Sequence, residues 1–308
     1  MRASIDIGSN SVILAVGEFD KNRKFTSKLD HLEITSLGRE LDKYGSFHPE
    51  SMQNTFNTLN IFKKELEAFQ IKPSEVIAVS TEAARVAKNR ATFFDKIKNE
   101  IGFNVQILSG KGEAHYAALG ATLGKIKNQS PEILIMDIGG ASTEFIKIQR
   151  EPFKIINSIS LPVGVVRATD WIQNSIYSEK LLAIKEKFST ELKNMSSPYL
   201  LCIAGTMTSI ALMHKNISNY DETLVNGSTI SANELMNLRE RIQKMTLEEI
   251  DNKYPFLKKR VPFIKAGFMI GTDLGQTLGT QNFEISSFGL RHGVLFCGTI
   301  AKEFLHVG

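Results

Sequence analysis

Two segments of the chain share one design. One lies at the start, Ser4-Ile5-Asp6-Ile7-Gly8-Ser9-Asn10-Ser11-Val12-Ile13-Leu14. The other lies mid-chain, Leu134-Ile135-Met136-Asp137-Ile138-Gly139-Gly140-Ala141-Ser142-Thr143-Glu144-Phe145-Ile146. Each reads apolar strand, Asp, Ile, Gly, small polar turn, second apolar strand. That pattern predicts a tight hairpin with a carboxylate at the end of its first strand. Glycine at the turn lets backbone N–H groups approach an anion closely. An Asp at the strand end can hold a hydrated divalent cation beside that anion. The repetition predicts two related domains facing one phosphate site.

The length, 308 residues with 42% apolar content, suits two domains. The formal charge of +4 is only mildly basic, and no Lys/Arg run is dense enough for a nucleic-acid arm. An ordinary surface explains that charge, and so does a cationic cleft for a polyanion. Cys202 and Cys297 both lie in apolar runs and read as small core residues. Without Cys-x-x-Cys spacing, neither a zinc site nor a disulfide scaffold is expected. There is no signal-peptide apolar region and no stretch long enough to span a bilayer, so no membrane association and a reduced, cytoplasmic setting are expected.

The hydrophobic pattern predicts strands at 2–7, 11–19 and 24–37, then a helix after His48-Pro49 with Met52, Phe56, Leu59, Phe62, Leu66 and Phe69 on one face. A strand at 76–79, a helix over 83–101 broken near Asn89, a strand at 105–108 and a helix at 114–123 follow. Polar Lys125-Ile126-Lys127-Asn128-Gln129-Ser130-Pro131 marks a boundary. The pattern then restarts with strands at 133–137, 143–148 and 154–160, helices at 165–173 and 178–194, a strand at 199–203 and a helix at 207–213. Helices at 232–245 and 262–278, a strand at 283–286 and a helix over 290–305 complete it. The repeated order argues two α/β domains with mixed sheets and a cleft between them.

Each polar motif has two readings. Asp6 to Ser11 is an ordinary hairpin turn, or a loop whose hydroxyl, amide and backbone donors contact phosphate. Arg85 and Asn89, four apart, share a helix face that is either solvated or open to phosphate through small Ala83, Ala84 and Ala87. Glu113 complements a helix N-terminus, or serves as a base toward water. Asp137 and Glu144 flank the second turn, as structural residues or as a pair suited to Mg²⁺. Gly205-Thr206 is a plain strand-to-helix turn, or one whose N–H groups face phosphate. Arg291-His292 opens the last helix and is a weak candidate for a substrate or interdomain contact.

Taken together, seven motifs resemble those of the exopolyphosphatase/guanosine pentaphosphate phosphohydrolase (Ppx/GppA) family of the actin/hexokinase/Hsp70 superfamily. They are Asp6 to Ser11, Thr81 to Asn89, Leu108 to Ala114, Asp137 to Glu144, Ser160 to Arg167, Gly205 to Ser209 and Gly289 to Gly293. The length resembles the short, two-domain members. The resemblance implies two actin-like (ribonuclease H-like) domains, 1–125 and 126–308, with mixed β-sheets flanked by helices. It also implies a C-terminal helix, about 292–308, packing back on the first domain, and an active site in the interdomain cleft.

The resemblance assigns catalysis to Glu113, as base, and Arg85. It assigns phosphate binding to Gly8, Ser9, Asn10, Ser11, Gly139, Gly140, Ala141, Ser142, Thr143, Gly205 and Thr206, and metal binding to Asp137, Glu144 and Asp6. Mg²⁺ is the implied cation, with Mn²⁺ in its place and K⁺ as an addition. The implied activity is release of orthophosphate from inorganic polyphosphate by a homodimer. Guanosine pentaphosphate as substrate, a weakened sensor of polyphosphate or alarmone, and a kinase-like phosphotransferase are the rivals. Four positions depart from the family pattern: Gly112 replaces the first Glu of a pair, Ala141 a third glycine, Ile13 an Arg, and Pro262 an Asp.

Overall fold

The computed structural model describes residues 1–21, 24–219 and 221–307. The chain divides into two compact units, one of Met1–Leu123 with the stretch from Leu290 onward, the other of Gly124–Gly289.

The first unit has one mixed sheet of β1 (Arg2–Ile7), β2 (Ser11–Phe19), β3 (Phe25–Ile34), β4 (Ile77–Ser80) and β5 (Val105–Ile107), in the order β3-β2-β1-β4-β5. β1, β2 and β3 form an antiparallel meander, and β4 and β5 add in parallel. Parallel addition requires crossovers, which helices supply. Helix Pro49–Glu67 begins with Pro after His48, whose ring accepts from the Glu50 N–H, and buries Leu59, Phe62 and Leu66. These residues join Ile5, Ile7, Val12, Leu14, Ala78 and Phe103 in a continuous core.

The predicted helix 83–101 is two helices, Glu82–Val86 and Arg90–Glu100. Ala87 between them is extended, so Arg85 and Asn89 do not share a helix face. Asn89 instead ties two loops together, accepting from Phe47 N–H at 2.9 Å and donating to Phe47 O at 3.1 Å. Helix Gly110–Leu123 starts four residues before the expected 114. Helix Leu290–Cys297 crosses it so closely that a Cβ on Gly293 would overlap the Tyr116 carbonyl. The expected helix over 290–305 stops at Cys297, because Gly298 turns left-handed at φ 75°. A 3₁₀ turn, Lys302–Phe304, follows, and Leu305 bridges to Leu108. Cys297 is exposed, contrary to the core position expected for it, because the helix ends there; Cys202 is buried.

The second unit repeats the plan. Its strands are β6 (Glu132–Ile138), β7 (Thr143–Gln149), β8 (Lys154–Leu161), β9 (Tyr199–Ile203), β10 (Ser228–Ser231) and β11 (Asn282–Ile285), in the order β10-β11-β9-β6-β7-β8. β6-β7-β8 is again an antiparallel meander, and β9 and β11 again add in parallel. Among the described residues only the edge strand β10 lacks a counterpart, and its short polar sequence, Ser228-Thr229-Ile230-Ser231, gave no strand signal. Helices Val165–Gln173, Ala204–His214 and Val261–Thr277 enclose a core that includes Met136, Phe145, Leu200, Met207, Phe268 and Phe283. The expected helix over 178–194 is broken at Phe188 into Tyr177–Lys187 and Ser189–Asn194. Among the described residues no helix is long and apolar enough to cross a membrane.

Candidate active site

The two hairpins close identically. Gly8 N–H donates to Ser11 O at 2.9 Å, and Gly139 N–H donates to Ser142 O at 2.9 Å. In both, segments behind the turn hold its carbonyls. Gly38 N–H reaches Ser9 O at 2.7 Å, and the N–H groups of Thr35 and Ser36 reach Asn10 O. In the second, Val165 and Val166 N–H groups reach Gly139 O and Gly140 O at 2.9 and 2.8 Å, while Arg167 donates to Ala141 O at 2.7 Å. Gly164 is required for this closeness, since its Cβ would overlap the Gly140–Ala141 peptide. Among the described residues the amides of Ser9 and Asn10, and of Gly140 and Ala141, have no protein acceptor. Successive amides of this kind form an anion-binding nest.

The strand ends differ between hairpins. Asp137 pairs with Glu144 across the second, and directly opposed residues of an antiparallel pair share a face. Glu144 also accepts from Ser160 Oγ at 2.7 Å, the next strand's residue in register. In the first hairpin Asp6 is opposed by Ile13. Asp6 Oδ1 is buried and has no hydrogen-bond partner among the described residues. Burial, with the Glu113 charge adding to it and Arg291 opposing, pushes its pKa up to about 7. Arg291, in turn, donates from Nε and Nη2 to Asp30 Oδ2 at 3.1 and 2.7 Å.

Glu113 lies in the first turn of helix Gly110–Leu123. Its Oε2 accepts from Arg85 Nη1 at 2.8 Å, and the same nitrogen donates to Leu108 O at 3.0 Å. Burial raises the Glu113 pKa; the Arg85 guanidinium and a Thr81 hydrogen bond oppose that, and Glu82 adds to it. The structure therefore joins Arg85 and Glu113, which the sequence presented as separate candidates. A carboxylate held by one guanidinium in a poorly hydrated place can accept a proton from water more readily than a solvated one. Thr81, Glu82 and Arg291 belong to this cluster as well. The first two stand in the same motif as Arg85, which was their only signal.

Three candidate residues make contacts within the protein. Thr143 is fully buried and donates to Val163 O at 2.6 Å. Gly205 and Thr206 lie inside helix Ala204–His214, not in a turn before it. Thr206 Oγ1 donates to Ile138 O at 3.0 Å, and the guanidinium of Arg260 occupies the space a Gly205 side chain would fill. Arg260 also donates to Ser209 Oγ at 3.3 Å. It lies two residues before Pro262, and its partners are remote in the chain, so no local pattern marks it.

No three His, Cys, Asp or Glu side chains among the described residues gather to hold a metal by themselves. Mg²⁺ does not need such a cage, since it keeps several waters and takes one or two carboxylates plus substrate phosphates. Within the second unit the opposed Asp137–Glu144 pair fits that donor set.

The duplicated β3-β2-β1-β4-β5 order defines an actin-like two-domain protein. The model of the Ppx/GppA phosphatase family matches residues 16–299, and the chain belongs to that family. It is similar to the Ppx/GppA family member of Aquifex aeolicus, with 28% identity, 96% of each chain covered and a TM-score of 0.76. An exopolyphosphatase structure from Cytophaga hutchinsonii, 21% identical over 96% of each chain with a TM-score of 0.80, shows the fold alone. Among curated relatives, Exopolyphosphatase 2 of Mycobacterium tuberculosis is 25% identical over 95% of this chain and 96% of its own length. The bifunctional 3-dehydroquinate synthase/phosphatase of Fusobacterium nucleatum is 29% identical over 93% of this chain, which spans 45% of that protein. The guanosine-5'-triphosphate,3'-diphosphate pyrophosphatase of Vibrio parahaemolyticus is 26% identical over 96% of this chain, which spans 58% of it. The family is described as one of phosphatases.

Proposed function

We propose that the protein is an exopolyphosphatase, releasing terminal orthophosphate from inorganic polyphosphate. The observation that carries this reading is the Arg85–Glu113 pair at a helix start, together with two turns whose amides are free to receive phosphate. Glu113 orients a water and takes its proton as the oxygen attacks the terminal phosphorus. The bridging P–O bond breaks, and the shortened chain leaves with the electron pair. Ser9, Asn10, Gly140 and Ala141 donate backbone N–H groups to non-bridging oxygens, and Arg85 keeps Glu113 ionised and aimed. Mg²⁺, when bound, would neutralise phosphate charge, and Asp137 and Glu144 are the residues of the second unit that would hold it. A cytoplasmic homodimer is part of the same proposal.

Phosphate release from polyphosphate with Mg²⁺, abolished by Glu113→Gln, tests the reading. An active Glu113→Gln enzyme sinks the base assignment. Guanosine pentaphosphate is the second reading, favoured by the name of the Vibrio relative. Apolar Ile13 beside Asp6, where a nucleotide-binding loop would gain from a cation, favours polyphosphate. A substrate panel decides between the two. Binding of either without phosphate release would instead identify a sensor.

A further inference from the structure

The C-terminal stretch Ala301–His306 grips the segment that carries Glu113 and the Leu108 carbonyl to which Arg85 donates. Phe304 O accepts from Ser109 N–H at 2.8 Å and from Ser109 Oγ at 3.1 Å. Ser109 Oγ in turn accepts from Gly112 N–H at 3.1 Å, and Ser109 O accepts from Glu113 N–H at 2.9 Å. The first turn of the Glu113 helix is therefore capped by a serine whose own hydroxyl is oriented by Phe304. The Phe304 ring stacks on His115, with centroids 4.2 Å apart and planes 22° apart. Tyr116 Oη accepts from Ala301 N–H at 3.0 Å.

The same stretch pairs with the strand end that receives the other partner of the ion pair. Leu305 bridges to Leu108, whose carbonyl accepts from Arg85, and His306 N–H donates to Ile107 O at 2.8 Å. Gly112 makes this possible. A Cβ there would overlap the Phe304 carbonyl oxygen and approach Phe304 Cβ within 2.8 Å. The glycine that departs from the expected Glu-Glu pair is the notch in which this strap lies.

We infer that Phe304, seated against Gly112, is a positioning residue that fixes the Glu113 carboxylate relative to Arg85. The inference rests on the reading of Glu113 as the base. It is tested with full-length Gly112→Ala, Phe304→Ala and Phe304→Tyr, assayed beside Glu113→Gln. Displacing a positioned group by an ångström can cost up to about a hundredfold in rate, so Gly112→Ala and Phe304→Ala are expected to lower kcat roughly ten- to hundredfold with KM changed less than about twofold. Phe304→Tyr keeps the ring stack and should retain wild-type kcat. Hydrogen exchange at residues 109–113 should quicken in the first two variants and not in the third, with the rest of the chain protected as before. Wild-type kcat in both Gly112→Ala and Phe304→Ala, with Glu113→Gln inactive, overturns the strap while leaving the base in place. An active Glu113→Gln overturns both. A loss of protection throughout the first unit would mean that the strap only stabilises the fold, and would also overturn the inference.

Discussion

Ile13 stands opposite Asp6 in the first hairpin, at the position Glu144 holds opposite Asp137 in the second. Two turns with the same backbone closure thus differ in charge at one cross-strand site. The aliphatic neighbour gives Asp6 no donor, and one oxygen remains buried without a partner. Replacing Ile13 with Arg supplies a cation there. Ile13→Arg should lower the Asp6 pKa and raise kcat/KM for guanosine pentaphosphate relative to polyphosphate. Unchanged relative kcat/KM in a two-substrate assay would remove Ile13 as a specificity determinant.

Asp6 also makes stability depend on pH. The folded state keeps the Asp6 proton up to about pH 7, whereas an unperturbed Asp carboxyl loses it near 3.8. Between these values the folded state binds the extra proton, so this residue's contribution to stability falls as pH rises, and levels off above about 7. Asp6→Asn cannot lose a proton. Its melting temperature without divalent cation should match wild type near pH 4 and exceed it by a few degrees at pH 8. A constant offset across that range would contradict the burial argument.

The Arg85 guanidinium opposes the burial-driven rise of the Glu113 pKa. Removing it should raise that pKa further, because the charged form loses its partner. Arg85→Ala is expected to move the acid limb of the kcat/KM profile to higher pH as well as lowering the maximum. Arg85→Lys should restore much of the limb's position, since a cation returns. A lowered maximum with an unmoved acid limb would make Arg85 a substrate contact alone.

Ser160 supports Glu144 from the neighbouring strand at 2.7 Å. Partners of metal-binding carboxylates tune affinity without touching the metal, and their loss typically costs about 10–100-fold in affinity. Ser160→Ala should therefore raise the Mg²⁺ concentration for half-maximal activity by roughly tenfold or more, with kcat at saturating Mg²⁺ nearly unchanged. A Mg²⁺ titration that superimposes on wild type would take Glu144 out of the metal set.

The fold was legible where hydrophobic period and turn chemistry agreed. The duplicated Asp-Ile-Gly hairpin announced both sheets, and β1, β2, β6 and β7 fall close to where alternation put them. What the sequence concealed was tertiary. Nothing local in Arg85 or Glu113 says that they pair, since 28 residues separate them. Arg85 and Asn89 have helical spacing, but the helix between them breaks so that Asn89 can satisfy the Phe47 peptide. Thr143 reads as a turn hydroxyl, yet Val163, far along the chain, claims it. Gly112 read as a loss, and its meaning depends on the Phe304 carbonyl that fills the space.

Each hairpin is folded by its own sheet and braced by its own neighbours, residues 35–38 for one and 164–167 for the other. The molecule is therefore modular in a practical sense: a substitution in one turn can be judged against an intact copy in the same chain. Exchanging Ile13 and Glu144, singly and together, would compare the two sites as alternative occupants of one scaffold, with differences in folding largely cancelled.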